Sequence, residues 1–542
     1  MLRAILIIIL SYSFIGNTYG QSFIYNPVID VQHYDFNVKV ADDNDSLIGK
    51  ALITVKFLRH TNKVTFDLIS LATEGKGMVV TAVKENNKPV LFTHENDQLI
   101  ISISNAGLII GEIKRFEIEY NGIPADGLIF SKNKFGHRTI FGDNWPNRAR
   151  NWLPCVDHLS DKASVDFIVT APDHYQVVSN GLKVEEINLN NHLRLTHWKE
   201  EVPIPTKVMV IGLADFAVNY LGDSKGVPLS SWVFPEEKTN GFYDYAQAAE
   251  ILPFYMKNIG PYSYEKLANV QSKTIYGGME NAGAIFYSQR SITGKRAYSE
   301  ELMAHEIAHQ WFGDAVTESD WPHIWLSEGF ATEMTNLYLE NKYGKDTLVS
   351  RLKKDRDSVI AFSHRQFTPV VDTTEKDNLI ELLNHNSYEK GGWILHMLRR
   401  KLGDAIFWKA IRLYYVTYRN KNASTRDLQH VFEKVSGSML DAFFTQWLYT
   451  VENPSLEMIW EYSKITKLLK VTVTQLQDER IFNLPLVIGI TSANGITVTR
   501  SISISKKVSV VSFRFAQQPV SIQLDPNCNL LFEGMVKKNE SF

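Results

Sequence analysis

The chain is poor in several things that would have set its class at once. Only two cysteines occur in 542 residues, Cys155 and Cys528, far apart in sequence. A disulfide-stapled scaffold is therefore excluded, and each thiol reads as a small buried hydrophobe in its own domain, with a single bridge between them left open. There is no imbalance of charge, since 57 Lys+Arg face 60 Asp+Glu for a formal net charge of -3. This leaves no electrostatic footprint for DNA or RNA. Past the N-terminus no apolar run is long enough to span a bilayer, and no internal repeat, heptad seam or low-complexity tract is present.

What the chain has is ordinary globular composition at a length beyond one hydrophobic core, so two to four domains are expected. Met1-Leu2-Arg3 gives a positive start, Ala4 to Ile15 is mostly apolar, and Thr18-Tyr19-Gly20 offers small residues for cleavage. This predicts a signal peptide over 1–20 and an exported product, secreted or periplasmic, without a stable membrane span after cleavage. From Val28 to Ala217 short alternating runs such as Ala51–Phe57 and Arg115–Tyr120, the latter followed by Asn121-Gly122 as a turn, predict an all-β domain over 21–217. Helical spacing begins with a helix over Tyr243 to Ile259 and persists to Trp447, predicting an α-rich domain over 218–452. Alternation returns in Lys470–Thr474 and Val508–Phe515, a small β-sandwich within 453–542. The fold class is multidomain α+β.

The chemistry lies in His305-Glu306-Ile307-Ala308-His309, on a segment that Ser299 can cap, with Glu300 and Glu301 in the first turn and Gly313 as its stop. Histidines four apart on a helix project from one face and can reach one Zn²⁺; Glu306, about 100° round the helix, faces the open coordination position. A helix with two satisfied core histidines would fit the same five residues. Glu328 decides between them. It lies 19 positions past His309 in Trp325–Ala331, after the breaker Asp320-Trp321-Pro322, on a helix whose stripe is Leu326, Phe330, Met334 and Leu337. Two histidines, one carboxylate and a water make an open catalytic site for one zinc per chain. Upstream, Tyr276-Gly277-Gly278-Met279-Glu280-Asn281-Ala282-Gly283 sets one acid among glycines in an edge strand or loop, where backbone and carboxylate can approach a cationic ligand.

In order and spacing, the Gly277–Asn281 run, the His305–His309 motif and Glu328 resemble the M1 family of zinc aminopeptidases, thermolysin-like gluzincins. The likeness extends through Asp30–Tyr34, Ser179–Gly181, Ala423–Leu428 and Phe443–Trp447. It implies a thermolysin-like catalytic domain and peptide substrates with a free N-terminus. It also implies that Glu280 grips the substrate's α-amine among Gly277, Gly278, Met279 and Asn281, that Glu306 is the general base, and that Tyr388 stabilises the oxyanion. Many members have a Gln or Glu in the N-terminal domain as a second amine anchor; here Phe141–Pro146 stands in that stretch, and Asp143 is the candidate. The chain stops after the small sandwich, without the large helical domain of longer members, so a more open cleft is expected. A zinc endopeptidase, an epoxide hydrolase and a catalytically dead interaction module are the alternatives. Glu280 argues against the first, while Glu306 and Tyr388 argue against the last.

Overall fold

A computed structural model describes residues 27–103, 109–375, 378–478 and 480–539; the expected signal segment lies outside the described residues. The first unit is built on an eight-stranded sheet. In it Ile29–Val40 runs parallel to Lys162–Pro172 and antiparallel to Leu47–Phe57. Alternation puts Tyr34, Phe36 and Val38 into the core, each with no exposed surface. A four-stranded sheet and a three-stranded sheet complete the unit. Asn121-Gly122 is not a turn: the strand Ile113–Ile123 runs through both. A Cβ on Gly122 would stand 2.1 Å from the Gly77 carbonyl oxygen, so glycine serves close strand approach rather than chain reversal.

The second unit opens on a five-stranded sheet whose edge is the two-residue strand Gly278–Met279, antiparallel to Ala284–Ser288. Against it pack α1 (Lys238–Tyr245), α2 (Ala248–Asn258) and α3 (Arg296–His309); α4 (Trp325–Tyr343) packs on α3, and α5 (Lys345–Ser363) and α6 (Gly391–Leu402) pack on α4. The single helix expected over Tyr243–Ile259 is thus two, parted at Ala246-Gln247. The α3 start also differs from expectation. Arg296 begins it one turn ahead of Ser299, which sits inside the helix, buried, receiving a hydrogen bond from Gln247. Glu300 and Glu301 accordingly fall in the second turn, and α3 ends at His309, four residues before Gly313. The α4 helix is buried nearly all round, with Leu326, Phe330, Met334 and Leu337 all in the core. Two packed sheets, of four and three strands, form the C-terminal unit. Among the described residues no helix is long and apolar enough to cross a membrane.

The units are tied by buried charge. Lys207 donates to Glu318 at 2.6 Å with both side chains fully enclosed, and Lys162 caps the carbonyls of Asp314 and Ala315. Cys155 and Cys528 are both free and buried.

Candidate active site

The end of α3 and the start of α4 meet at the metal-ligand candidates. The Nε2 atoms of His305 and His309 stand 3.1 Å apart, and Glu328 Oε2 lies 3.4 Å and 3.3 Å from them. His305, His309 and Glu328 are the cluster of possible metal ligands found among the described residues. A cation fits it. Glu328 Oε2 is buried with no hydrogen-bond partner among the described residues, and the Nε2 atoms of both imidazoles converge on it. His309 Nδ1 lies 3.1 Å from the Phe312 carbonyl and 3.0 Å from Ser327 Oγ, which fixes the ring with Nε2 facing the cluster. Electrostatics agree. Burial pulls the His309 imidazole down, but Glu328 and Glu280 outweigh it and hold the ring at about 10. Burial alone would raise Glu328, yet the two histidines hold its carboxyl well below the usual range. This is a site asking for positive charge.

Glu328 reaches the cluster because α4 packs on α3, and next to it α4 and α6 touch backbone to backbone. A Cβ on Gly329 would come within 2.8 Å of Gly391, and one on Gly391 within 2.9 Å of Gly329. That contact brings in the π-helical turn Asn386–Lys390, which carries Tyr388, just ahead of α6. Its ring stacks on His305 at 5.9 Å between centroids. Burial, then the nearby Glu328, Glu280 and Glu306 carboxylates, push the phenol well above its ordinary range, so it stays a proton donor at any physiological pH.

Glu306 faces the edge strand. A Cβ on Gly278 would stand 2.3 Å from Glu306 Cδ, so the absent side chain is the space the carboxylate occupies. Burial, reinforced by Glu280 and Glu328 against the opposing pull of His309, raises Glu306 well above an ordinary carboxyl. Such a group takes and returns protons readily once a cation shares the site.

A cavity of about 250 Å³ joins these groups: Gly277, Gly278, Met279, Glu280, His305, Glu306, His309, Glu328 and Tyr388 all line it. Glu280 is 6% exposed and its Oε1 has no hydrogen-bond partner among the described residues. Two of the predicted residues stand outside the lining. Asn281 is fully buried behind the loop, and its amide also finds no partner there. Asp143 receives Arg148 Nη2 at 2.5 Å and the Thr274 hydroxyl at 3.3 Å; burial pushes it up to about 6 against the pull of Arg148. Sequence reasoning missed Trp145, Leu302 and Leu383, which also line the cavity. Trp145 lies two residues past Asp143 and packs edge-on against Tyr276. Trp145 stands in the Phe141–Pro146 stretch already singled out for Asp143, while Leu302 and Leu383 belong to no motif and arrive through tertiary folding.

The Peptidase M1 N-terminal domain matches residues 30–208, and the Peptidase family M1 domain matches residues 243–447. A probable aminopeptidase 2 of Sulfurisphaera tokodaii is 26% identical over 408 residues, covering 72% of this chain and 50% of that protein. Glutamyl aminopeptidase of Homo sapiens is 26% identical over 466 residues, covering 80% and 47%. In fold, the crystal structure of Legionella pneumophila aminopeptidase A in complex with aspartic acid matches with a TM-score of 0.79 at 17% identity, over 94% of this chain and 60% of that one. The chain spans about half the length of these two sequence relatives. With both domains matched in order, the chain belongs to peptidase family M1.

Proposed function

We propose that this protein is a zinc-dependent aminopeptidase that releases N-terminal residues from peptides. The observation that carries the reading is the shared cavity, where a buried Glu280 carboxylate, its Oε1 without a hydrogen-bond partner among the described residues, stands in the same enclosure as the His305, His309 and Glu328 cluster. A substrate whose α-ammonium satisfies Glu280 is held in the same cavity as the cluster, where its first peptide bond can be presented. His305, His309 and Glu328 would hold zinc, on which the family depends in general. Zinc bound there supplies a Lewis acid that polarises the scissile carbonyl and lowers the pKa of water. Glu306 accepts a proton from the attacking water and passes it to the leaving amine. Tyr388 donates its hydroxyl proton in a hydrogen bond to the carbonyl oxygen as negative charge gathers there. Export rests on the N-terminal run alone and is part of the same reading.

The test is a panel of aminoacyl fluorogenic amides, each with its N-acetyl counterpart, measured with zinc and with chelator. The free-amine amides are cleaved, the acetylated ones are not, and chelator abolishes the rate. In Glu280→Ala, kcat/KM for the free-amine amides falls roughly 10–100-fold, the worth of one charge-assisted contact. Equal cleavage of free and acetylated amides by the wild type would show an endopeptidase instead.

The cavity also bears on which residue is released. Trp145, Tyr276, Met279, Leu302 and Leu383 line it, and among the described residues no Lys or Arg does, while Glu280, Glu306 and Glu328 give it a negative field. An acidic side chain would enter without a partner. The glutamyl and A-type names among the relatives therefore do not transfer, and leucyl or phenylalanyl amides are hydrolysed at least tenfold faster than the glutamyl amide. A glutamyl amide matching the leucyl amide in kcat/KM would overturn this preference.

A further inference from the structure

The ladder that holds the substrate-binding loop ends one residue too early to fix Glu280. Gly278 and Met279 pair with Tyr287 and Phe286, and the strand stops there. Glu280 then leads into a turn from Asn281 to Ala284, closed by the Ala284 amide on the Asn281 carbonyl at 3.0 Å with Gly283 at a φ of +68°. Neither the ladder nor that turn bond touches Glu280 itself, and an error of about 1 Å is enough to lose a bound geometry.

Three buried side chains take up the turn. Asn180, from the Ser179-Asn180-Gly181 run of the first unit, donates to the Ala282 carbonyl at 2.8 Å and to Val208 at 2.9 Å. Lys266 donates to the Gly283 carbonyl at 2.9 Å and to the Ser179 carbonyl at 2.8 Å. The third, Gln310, holds both ends at once. Its Nε2 donates to the Glu280 carbonyl at 2.8 Å, and its Oε1 accepts from the Gly283 amide at 2.8 Å. Its other hydrogen bonds run to Asp314 Oδ2 at 2.9 Å and from the Tyr262 hydroxyl at 3.1 Å. The side chain is fully buried, so the arrangement is locked.

Gln310 is also the residue after His309. From this we infer that Gln310 is a positioning residue: one amide side chain, bonded directly to the metal-binding helix, sets the distance between the Glu280 carboxylate and the metal ligands. It acts as the ruler that makes cleavage stop at one residue. Asn180 and Lys266 brace the far side of the turn, whereas Gln310 connects Glu280's own peptide group to the His309 segment. The inference rests on the aminopeptidase reading above.

Its test separates the anchor from the metal. Leucine hydroxamate and 4-methylpentanoyl hydroxamate share side chain and zinc-binding group and differ only in the α-amine. On the full, zinc-loaded chain, wild type binds the first tighter by roughly tenfold or more. In Gln310→Met this amine advantage shrinks below about threefold, while zinc content and affinity for the amine-free hydroxamate stay within about twofold. Gln310→Glu keeps an acceptor for the Gly283 amide and occupies the same volume, so it serves if the methionine variant does not fold; its amine advantage falls likewise. Should the zinc-loaded variant keep the wild-type ratio, or lose affinity for both hydroxamates in equal proportion, the positioning role is overturned. A wild type that shows no amine advantage overturns the aminopeptidase reading, and the ruler with it.

Discussion

Replacing Glu306 by Gln removes turnover by a factor of about 10²–10⁴ while the protein keeps its zinc. The two halves of that result come from different features of the same side chain. Glu306 is not one of the three groups that converge as metal ligands, so its charge is dispensable for holding the ion. Its volume is not dispensable, because it fills the space opposite Gly278 where a Cβ would stand 2.3 Å from its carboxyl carbon. Glutamine fills that space as well and leaves the edge strand undisturbed. What it cannot do is accept a proton and give it back. Burial raises the Glu306 carboxyl well above its ordinary range, so the wild-type group is a better base toward the attacking water, and it can still pass the proton on to the more basic leaving amine. Measured zinc content with steady-state rates on a leucyl amide checks both halves. Near wild-type turnover in the glutamine variant would remove Glu306 from the mechanism.

How much of this was legible depended on whether the signal was local. Two histidines four apart declare one helix face, and Glu328 in its apolar run declares a second buried helix; both readings need only a period. The start of α3 was not legible, because Ser299 looks like a cap and is instead a packing partner of Gln247, itself placed by the break between α1 and α2. Asn121-Gly122 reads as a turn by composition, but the glycine answers to a neighbouring strand that composition does not show. The same holds within the site. Asp143 is the right chemistry for an anchor, and only the fold reveals that Arg148 already engages it. Gln310 and Trp145 carry no pattern of their own. Gly329 and Gly391 did carry one, each a glycine next to or near a functional residue in a helical stretch, where glycine is costly unless something must come close.

Glu328→Ala is expected to strip the metal itself, where Glu306→Gln spares it. The wild-type cluster balances one carboxylate against two imidazoles. Glu328 holds His309 up at about 10, and the histidines hold Glu328 down, so in the absence of a cation the three pair among themselves and α3 stays docked on α4. Removing zinc by chelator therefore leaves a folded protein that regains activity when zinc returns. Removing Glu328 leaves two neutral ligands on one helix and no anionic partner for the ion, which falls short of the three protein ligands a catalytic zinc site needs. Zinc affinity drops by more than the 10–100-fold typical of losing an outer-shell partner, and activity at micromolar zinc falls about 10³-fold or further. The fold survives, because the alanine still belongs in a helix whose apolar stripe is untouched and whose contact with α6 runs through Gly329. Titration with zinc under a competing chelator, followed by circular dichroism of the metal-free variant, measures the two effects separately. A variant that binds zinc within tenfold of wild type would show that Glu328 is not a ligand, and the metal centre would have to be sought around His305 and His309 with another partner.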